Sequence, residues 1–125
     1  MYGLRIISHF AAAHRLRDYR GKCESLHGHN WKVEVYVVGN ELNKEGILID
    51  FKELKSLVKK CLERLDHTYL NDLTPFDKEN PTSEHIARYI FHFLKKHLPP
   101  HVSMKKVTVW ESETACAEYW ERDVF

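Results

Sequence analysis

The alternation of apolar and polar residues predicts two long strands at the start of the chain. In YGLRIISHFAAAH, the phase that contains Ile6 and Phe10 also contains His14. In HNWKVEVYVV, the phase of Val33 is apolar and contains His29, whereas the other phase mixes lysine, glutamate and tyrosine. Successive side chains of a strand point to opposite faces. Each strand should therefore have one buried face, and both buried faces include histidine.

Two later segments predict amphipathic helices. In DFKELKSLVKKCLERL, apolar residues recur at helical spacing, and Asp50 followed by Glu53 resembles a capping box. The second helix covers TSEHIARYIFHFLKKHL, with Pro81 suited to its first turn and Pro99 and Pro100 to its end. The segments MKKVTVWES and ACAEYWERDV predict two final strands, and DHTYLNDLTPFDKENP predicts a loop.

This order predicts one α+β domain over residues 1–125 with the topology ββααββ. A four-stranded, mostly antiparallel sheet would carry both helices on one face, so that the helix stripes and the valine phase cover each other. The other sheet face is too mixed for a core, and the sheet edges remain open. Both features favour an oligomer over a monomer.

Composition narrows the class of protein. The chain has 125 residues, which suits one domain, and its net charge of +1 gives no indication of a nucleic-acid surface. It has no N-terminal apolar h-region and no apolar run long enough to cross a bilayer. Its three cysteines lack a framework spacing, which favours reduced thiols. We therefore expect a soluble cytoplasmic protein without nucleic-acid or membrane partners.

Histidine is the unusual residue, with nine in the chain. His27 and His29, in CESLHGHNW, point the same way if the second strand extends back through Gly28, and His14 lies on the apolar phase of the first strand. Burying three imidazoles is costly unless each nitrogen has a partner. We predict that one Zn²⁺ binds all three, which leaves a fourth position open, as in catalytic sites. Separate hydrogen-bonded histidines are the plainer alternative, and Cys23 as a fourth ligand would make the site structural.

Two further stretches suit a catalytic site, each with a plainer alternative. Asp66 can orient His67, which could then relay a proton from a thiol, although the pair would also suit a helix C-terminus. Glu111 shares the strand phase of Val107 and Val109. If buried, it needs a partner such as a ligand with paired N–H donors; a surface glutamate at a turn is the alternative.

Six blocks of the chain together resemble one family. The chain is similar to the 6-carboxy-5,6,7,8-tetrahydropterin synthases, in order and roughly in spacing, in the blocks FAAAHRL, CESLHGHNW, GILIDFKELK, ERLDHTYLND, NPTSE and VWESETACAEY. These are the queuosine-pathway members of the 6-pyruvoyltetrahydropterin synthase family. The three residues between Cys23 and His27 resemble the carboxy enzymes more than the pyruvoyl enzymes. Glu113 departs from many relatives, which carry a small or uncharged residue there.

The resemblance implies a tunnelling fold, in which ββααββ subunits trimerise into a barrel and two trimers form a homohexamer with active sites at subunit interfaces. The family's zinc ligands match His14, His27 and His29, and its catalytic thiol matches Cys23. Its Asp–His pair matches Asp66 and His67, and its pterin-anchoring glutamate matches Glu111. In NPTSE, Thr82, Ser83 and Glu84 most simply cap the second helix, and we also carry them as candidate substrate contacts.

The implied reaction is zinc-dependent conversion of 7,8-dihydroneopterin triphosphate into 6-carboxy-5,6,7,8-tetrahydropterin, acetaldehyde and triphosphate. Cys23 would act as the base, and Glu111 would hold the pterin and join the proton relay. Lys22, Arg15 and Arg17 are candidates for the triphosphate. A 6-pyruvoyltetrahydropterin synthase, or a non-catalytic pterin- or zinc-binding homologue, is the alternative.

Overall fold

The computed structural model describes residues 1–18 and 25–122. The strands are β1 (Tyr2–His14), β2 (His27–Gly39), β3 (Thr68–Tyr69), β4 (Ser103–Trp110) and β5 (Cys116–Tyr119), and the helices are α1 (Phe51–Glu63) and α2 (Ser83–His97). A 3₁₀ turn spans Leu70–Asp72. The predicted α+β class and the ββααββ order are confirmed, with β3 as an addition.

Over the described residues, the sheet has five strands in the order β3-β1-β2-β4-β5. All neighbours pair antiparallel except β3, which runs parallel to β1 through Ala12 opposite Thr68 and Ala13 opposite Tyr69. The prediction of four strands was wrong, because the predicted loop across DHTYLNDLTPFDKENP contains the two-residue strand β3. A two-residue strand carries no alternation to detect. Its pairing with β1 is extended by the His67 backbone N–H, which donates to the Ala11 carbonyl at 2.6 Å.

The helices and one face of the sheet enclose a single core. Register pairs Phe10 with Trp31 and Val33 with Val109, so the predicted apolar phases meet on the same face. These side chains are buried, and they join the apolar stripes of α1 and α2 in one cluster. Full burial of a side chain of this size stabilises the fold by about 1.5–3 kcal/mol.

Local capping fixes where each helix begins. The Asp50 carboxylate accepts from the Lys52 backbone N–H at 2.8 Å, so Asp50 is the N-cap of α1 as expected. Thr82 is the N-cap of α2, and its hydroxyl accepts from the His85 backbone N–H at 3.1 Å. Pro81 therefore precedes the cap instead of lying in the first turn.

The sheet edge at β1 is mostly open in the single chain. Strand β3 covers β1 only at Ala12 and Ala13, so residues 2–10 of β1 have no neighbour on that side within the described part of the chain. Ile7, on this stretch, is 46 % exposed. Within residues 1–18 and 25–122, neither helix has the length and apolar character needed to cross a membrane.

Candidate metal and active site

His14 is the last residue of β1, and its side chain is only 3 % exposed. Its Nδ1 lies 2.8 Å from the Pro81 carbonyl oxygen. A carbonyl oxygen can only accept, so Nδ1 carries the proton and Nε2 presents a lone pair. Since Pro81 immediately precedes the N-cap of α2, the start of this helix sets both the orientation and the tautomer of His14.

His27 and His29 lie on the same side of β2, next to His14. The register places His27 directly opposite His14, and the three imidazole rings contact one another edge-on with centroids 4.6–5.1 Å apart. Nδ1 of His27 donates to the Ser25 carbonyl at 2.8 Å, so its Nε2 also presents a lone pair. The pairing of β1 with β2 thus brings the three histidines into one cluster.

The contact between His14 and His27 needs a positive charge. Their Nε2 atoms are 3.1 Å apart, and both rings already use Nδ1 as the donor. Two lone pairs at this distance repel each other unless an additional proton or a metal ion lies between them. Zinc bonds to imidazole at about 2.0–2.1 Å, which places tetrahedral ligand atoms about 3.3 Å apart. The donor set and its spacing therefore fit a zinc ion.

Glu111 completes the cluster from the other side. It follows the last residue of β4, and its Oε1 lies 2.9 Å from Nε2 of His29, 3.2 Å from Nε2 of His14 and 3.9 Å from Nε2 of His27. These four ligand atoms all lie within 4.8 Å of one another. The Glu111 side chain is 37 % exposed, so the carboxylate has room to move away from the histidines.

Asp66 and His67 form a contact pair beyond the end of α1. His67 Nδ1 is 3.0 Å from Asp66 Oδ2, and Asp66 Oδ1 accepts from the Ala11 backbone N–H at 2.8 Å. The Ala11 N–H is the main cause that lowers the pKa of Asp66, and His67 adds to it. His67 has a positive φ of 57°, a strained backbone conformation for a residue with a side chain. The hydrogen bonds of both residues to Ala11 hold it in place.

His67 is not one of the four residues whose ligand atoms group within 4.8 Å of one another in the described part of the chain. It lines a surface depression beside the ends of β1 and β2, and the other lining residues include Ala11, Ala12, Ala13, His29 and Asn30. The His67 side chain is 83 % exposed.

The predicted thiol base, Cys23, and the predicted phosphate ligand Lys22 lie outside the described residues. The two described cysteines are poor candidates for the base. Burial raises the pKa of Cys61 to about 12, and Cys116 lies on β5 with a pKa that is also raised, first by desolvation.

The predicted phosphate ligands Arg15 and Arg17 differ in their availability. The Arg17 guanidinium donates to the carbonyls of Phe76 and Glu79 at 2.7 and 2.9 Å, so it ties β1 to the loop before α2. Arg15 is exposed, and its backbone is held by the Asn71 side chain. Arg15 is therefore the more accessible of the two.

Two supporting features were missed by the sequence analysis. The carbonyls of Pro81 and Ser25 orient His14 and His27, but a backbone carbonyl leaves no signal in the sequence. Asn71 accepts from the Arg15 N–H at 3.0 Å and donates to its carbonyl at 2.9 Å, which fixes the chain just beyond His14. Its place in the predicted loop after the first helix gave no signal of this role. Thr82, Ser83 and Glu84 occupy the cap and first turn of α2, next to the Pro81 carbonyl.

Comparisons with known proteins agree with this arrangement. The family model described as 6-pyruvoyl tetrahydropterin synthase matches residues 4–122. A Synechocystis protein named 6-carboxy-5,6,7,8-tetrahydropterin synthase is 39 % identical over 116 residues, covering 89 % of this chain and 87 % of the relative. A Pyrococcus furiosus protein named dihydroneopterin monophosphate aldolase is 38 % identical over 102 residues, covering 82 % of each.

Among solved structures, the 6-pyruvoyl tetrahydropterin synthase of Caenorhabditis elegans superposes with a TM-score of 0.83 at 27 % identity. The superposition covers 97 % of this chain and 96 % of that one. The predicted tunnelling-fold subunit is thus confirmed at the level of the single chain.

Proposed function

The chain belongs to the 6-pyruvoyl tetrahydropterin synthase family, and from this premise we propose that it is a zinc-dependent lyase. It converts 7,8-dihydroneopterin triphosphate and water into 6-carboxy-5,6,7,8-tetrahydropterin, acetaldehyde and triphosphate, in the synthesis of queuosine or a related 7-deazaguanine. The observation that carries the proposal is the convergence of three imidazole Nε2 atoms and a carboxylate at one end of β1 and β2. The Synechocystis relative, named for the carboxy product, supports this reaction.

His14, His27 and His29 would hold the zinc through Nε2. All three ligands are neutral, so the bound ion keeps its charge and supplies Lewis-acid polarisation of a substrate oxygen. The carbonyls of Pro81 and Ser25 keep two of the rings in the tautomer that binds a metal. This arrangement leaves chemistry at the substrate carbon to other residues of the chain.

Cys23 is the proposed base that removes a proton from the substrate side chain. A thiol has an ordinary pKa of about 8.5, and a nearby cation favours its thiolate. The sequence position of Cys23, four residues before His27, supports this role. His67, oriented by Asp66 at 3.0 Å, would accept the proton and pass it on.

Glu111 is the proposed anchor for the amino-pyrimidine edge of the pterin, where a carboxylate can accept two N–H bonds. That edge and the C6 side chain are at opposite ends of the ring system. If the C6 side chain of the substrate is to reach the histidines, the Glu111 carboxylate must first rotate away from them. Its 37 % exposure leaves room for this rotation.

The active site is proposed to be shared between copies of the chain. His67 is 83 % exposed and lies outside the group of metal-ligand atoms of its own chain, so we expect it to act in the site of a neighbouring subunit. The open edge of β1 supports assembly through sheet pairing, because unpaired edge groups favour a further strand. We propose a trimeric barrel, two of which stack into a homohexamer.

A second candidate reaction is favoured by the aldolase relative at 38 % identity. An aldolase acting on dihydroneopterin monophosphate would break the bond between the first two side-chain carbons. The products would be a 6-hydroxymethyl pterin and a phosphorylated two-carbon aldehyde, with no free phosphate. A 6-pyruvoyl synthase, in contrast, would release triphosphate and retain all side-chain carbons.

Product analysis distinguishes these reactions. Purified, zinc-loaded protein is incubated separately with dihydroneopterin triphosphate and with the monophosphate, and products are identified by mass and by an acetaldehyde assay. The proposal expects acetaldehyde and 6-carboxytetrahydropterin from the triphosphate, and no product from Cys23→Ala beyond about 1 % of the wild-type rate. Phosphorylated aldehyde from the monophosphate would establish the aldolase instead. A pyruvoyl product would establish the pyruvoyl synthase, and no turnover of either substrate would point to a binding homologue.

A further inference from the structure

The helix-free face of the sheet contains a buried carboxylate that the proposed chemistry does not use. Glu34, in the middle of β2, is 6 % exposed although its strand phase is otherwise polar. It accepts from the Trp110 indole N–H at 2.6 Å, from the Tyr36 hydroxyl at 3.1 Å and from Arg5 at 3.3 Å. A buried carboxylate is tolerated only with such partners, and bonds to a charged acceptor are the stronger ones.

The shortest of these bonds holds the residue that precedes Glu111. Trp110 ends β4, and the ladders to β2 and β5 both stop there, at the pairs with Lys32 and Cys116. Glu111 is therefore the first residue beyond the paired sheet. The Trp110 ring is also covered by the Lys32 ammonium, 5.5 Å from its centroid. The indole is thus held on one edge by Glu34 and on one face by Lys32.

We propose that Glu34 is a positioning residue that fixes Glu111 through Trp110. Side chains alternate across a strand, so an indole anchored on the helix-free face directs the next side chain towards the histidine cluster. The observed distances from Glu111 Oε1 to the histidines agree with this direction. The consequence of this positioning for pterin affinity rests on the proposed role of Glu111 as the anchor. The effect on the backbone after Trp110 does not depend on that role.

The test compares Glu34→Leu with Glu118→Leu. Glu118 is a carboxylate on the same face that accepts from Thr108 and pairs with Lys106, both at 2.9 Å, and no bond joins it to Trp110 among the described contacts. Glu34→Gln retains an acceptor for the indole and serves as the conservative rescue. If Glu34→Leu does not fold, Trp110→Phe removes the same bond from the other side.

Hydrogen exchange followed by mass spectrometry reports the protection of the backbone amides of residues 109–115, the end of β4 and the turn after it. We expect exchange there to become at least tenfold faster in Glu34→Leu or Trp110→Phe, and to stay within twofold of wild type in Glu118→Leu and Glu34→Gln. Calorimetry with neopterin, the oxidised and unreactive pterin, should show about a tenfold weaker Kd in Glu34→Leu or Trp110→Phe, and an unchanged Kd in Glu118→Leu and Glu34→Gln. Kinetics on the triphosphate should show a raised KM with kcat within about twofold of wild type.

Unchanged exchange at residues 109–115 in Glu34→Leu would overturn the proposal. An equal change in Glu118→Leu would also overturn it, because the effect would then reflect general loosening of the sheet. If wild type binds no neopterin but the exchange pattern is as expected, the positioning by Glu34 stands and the proposed function fails. If exchange changes as expected while neopterin binds equally well to wild type and Glu34→Leu, the positioning by Glu34 stands and the proposed role of Glu111 as the anchor fails.

Discussion

Replacing His27 with alanine should weaken zinc binding without destabilising the zinc-free protein. The substitution removes one of the two Nε2 atoms that face each other at 3.1 Å, a contact that a bound metal ion would stabilise. The His27 side chain is 35 % exposed and its bond to Ser25 lies at the surface, so little packing is lost. We expect the free energy of unfolding of the zinc-free variant to stay within about 0.5 kcal/mol of wild type.

The effect in the presence of zinc should be much larger. Loss of a supporting partner of a metal ligand costs 10–100-fold in affinity, so loss of the ligand itself should cost at least about 100-fold. At a zinc concentration 100 times the wild-type Kd, binding stabilises wild type by about 2.7 kcal/mol and the variant by only about 0.4 kcal/mol. For a domain of this size, that difference corresponds to about 9 °C in Tm.

The assay measures zinc content by elemental analysis and Tm by calorimetry, with and without a chelator. His9→Ala is the matched control, because His9 is an exposed histidine on the opposite phase of β1. It should retain zinc and the full zinc-dependent shift in Tm. A His27→Ala variant with wild-type zinc affinity, or a wild type whose Tm does not respond to zinc, would refute the assignment of the cluster as a metal site.

Four further predictions concern the other site residues and the assembly. Cys23→Ala should keep its zinc and lose about 10²-fold or more in kcat; loss of zinc by elemental analysis would instead make Cys23 a ligand. Glu111→Gln should weaken neopterin binding in calorimetry, by about tenfold at least, because a charged acceptor becomes neutral; normal affinity with reduced kcat would move Glu111 to the proton relay. Because the folded-state pKa of Asp66 is lowered from 3.8, its contribution to stability should be fully present above about pH 5 and lost as pH falls through the lower value. The difference in Tm between wild type and Asp66→Asn should therefore shrink on acidification, and a difference that does not depend on pH would contradict this cause. Sedimentation at micromolar concentration should give a trimer or hexamer, whereas an active monomer would exclude both the assembly and the shared site.

Most of the fold could be predicted because its signals are local. Alternation along β1 and β2 identified the face that carries Phe10, Trp31 and Val33, and this face is buried. Helical spacing and capping residues placed both helices within about two residues of their observed bounds. Strand β3 was missed because two residues are too few for a period to appear. It depends instead on a backbone bond to Ala11, far away in the sequence.

The sequence by itself determined that His14, His27 and His29 share the apolar phases of their strands, because side-chain direction in a strand follows from position alone. Only the tertiary structure decided that they meet. The register that sets His14 opposite His27 and the turn at the end of β4 that brings in Glu111 join residues far apart in the chain. The position of His67 at the edge of β1 was likewise invisible in the sequence. It accompanies the backbone bond from His67 to Ala11 and the parallel pairing of β3 with β1, and such long-range pairing depends on the packing of the whole chain.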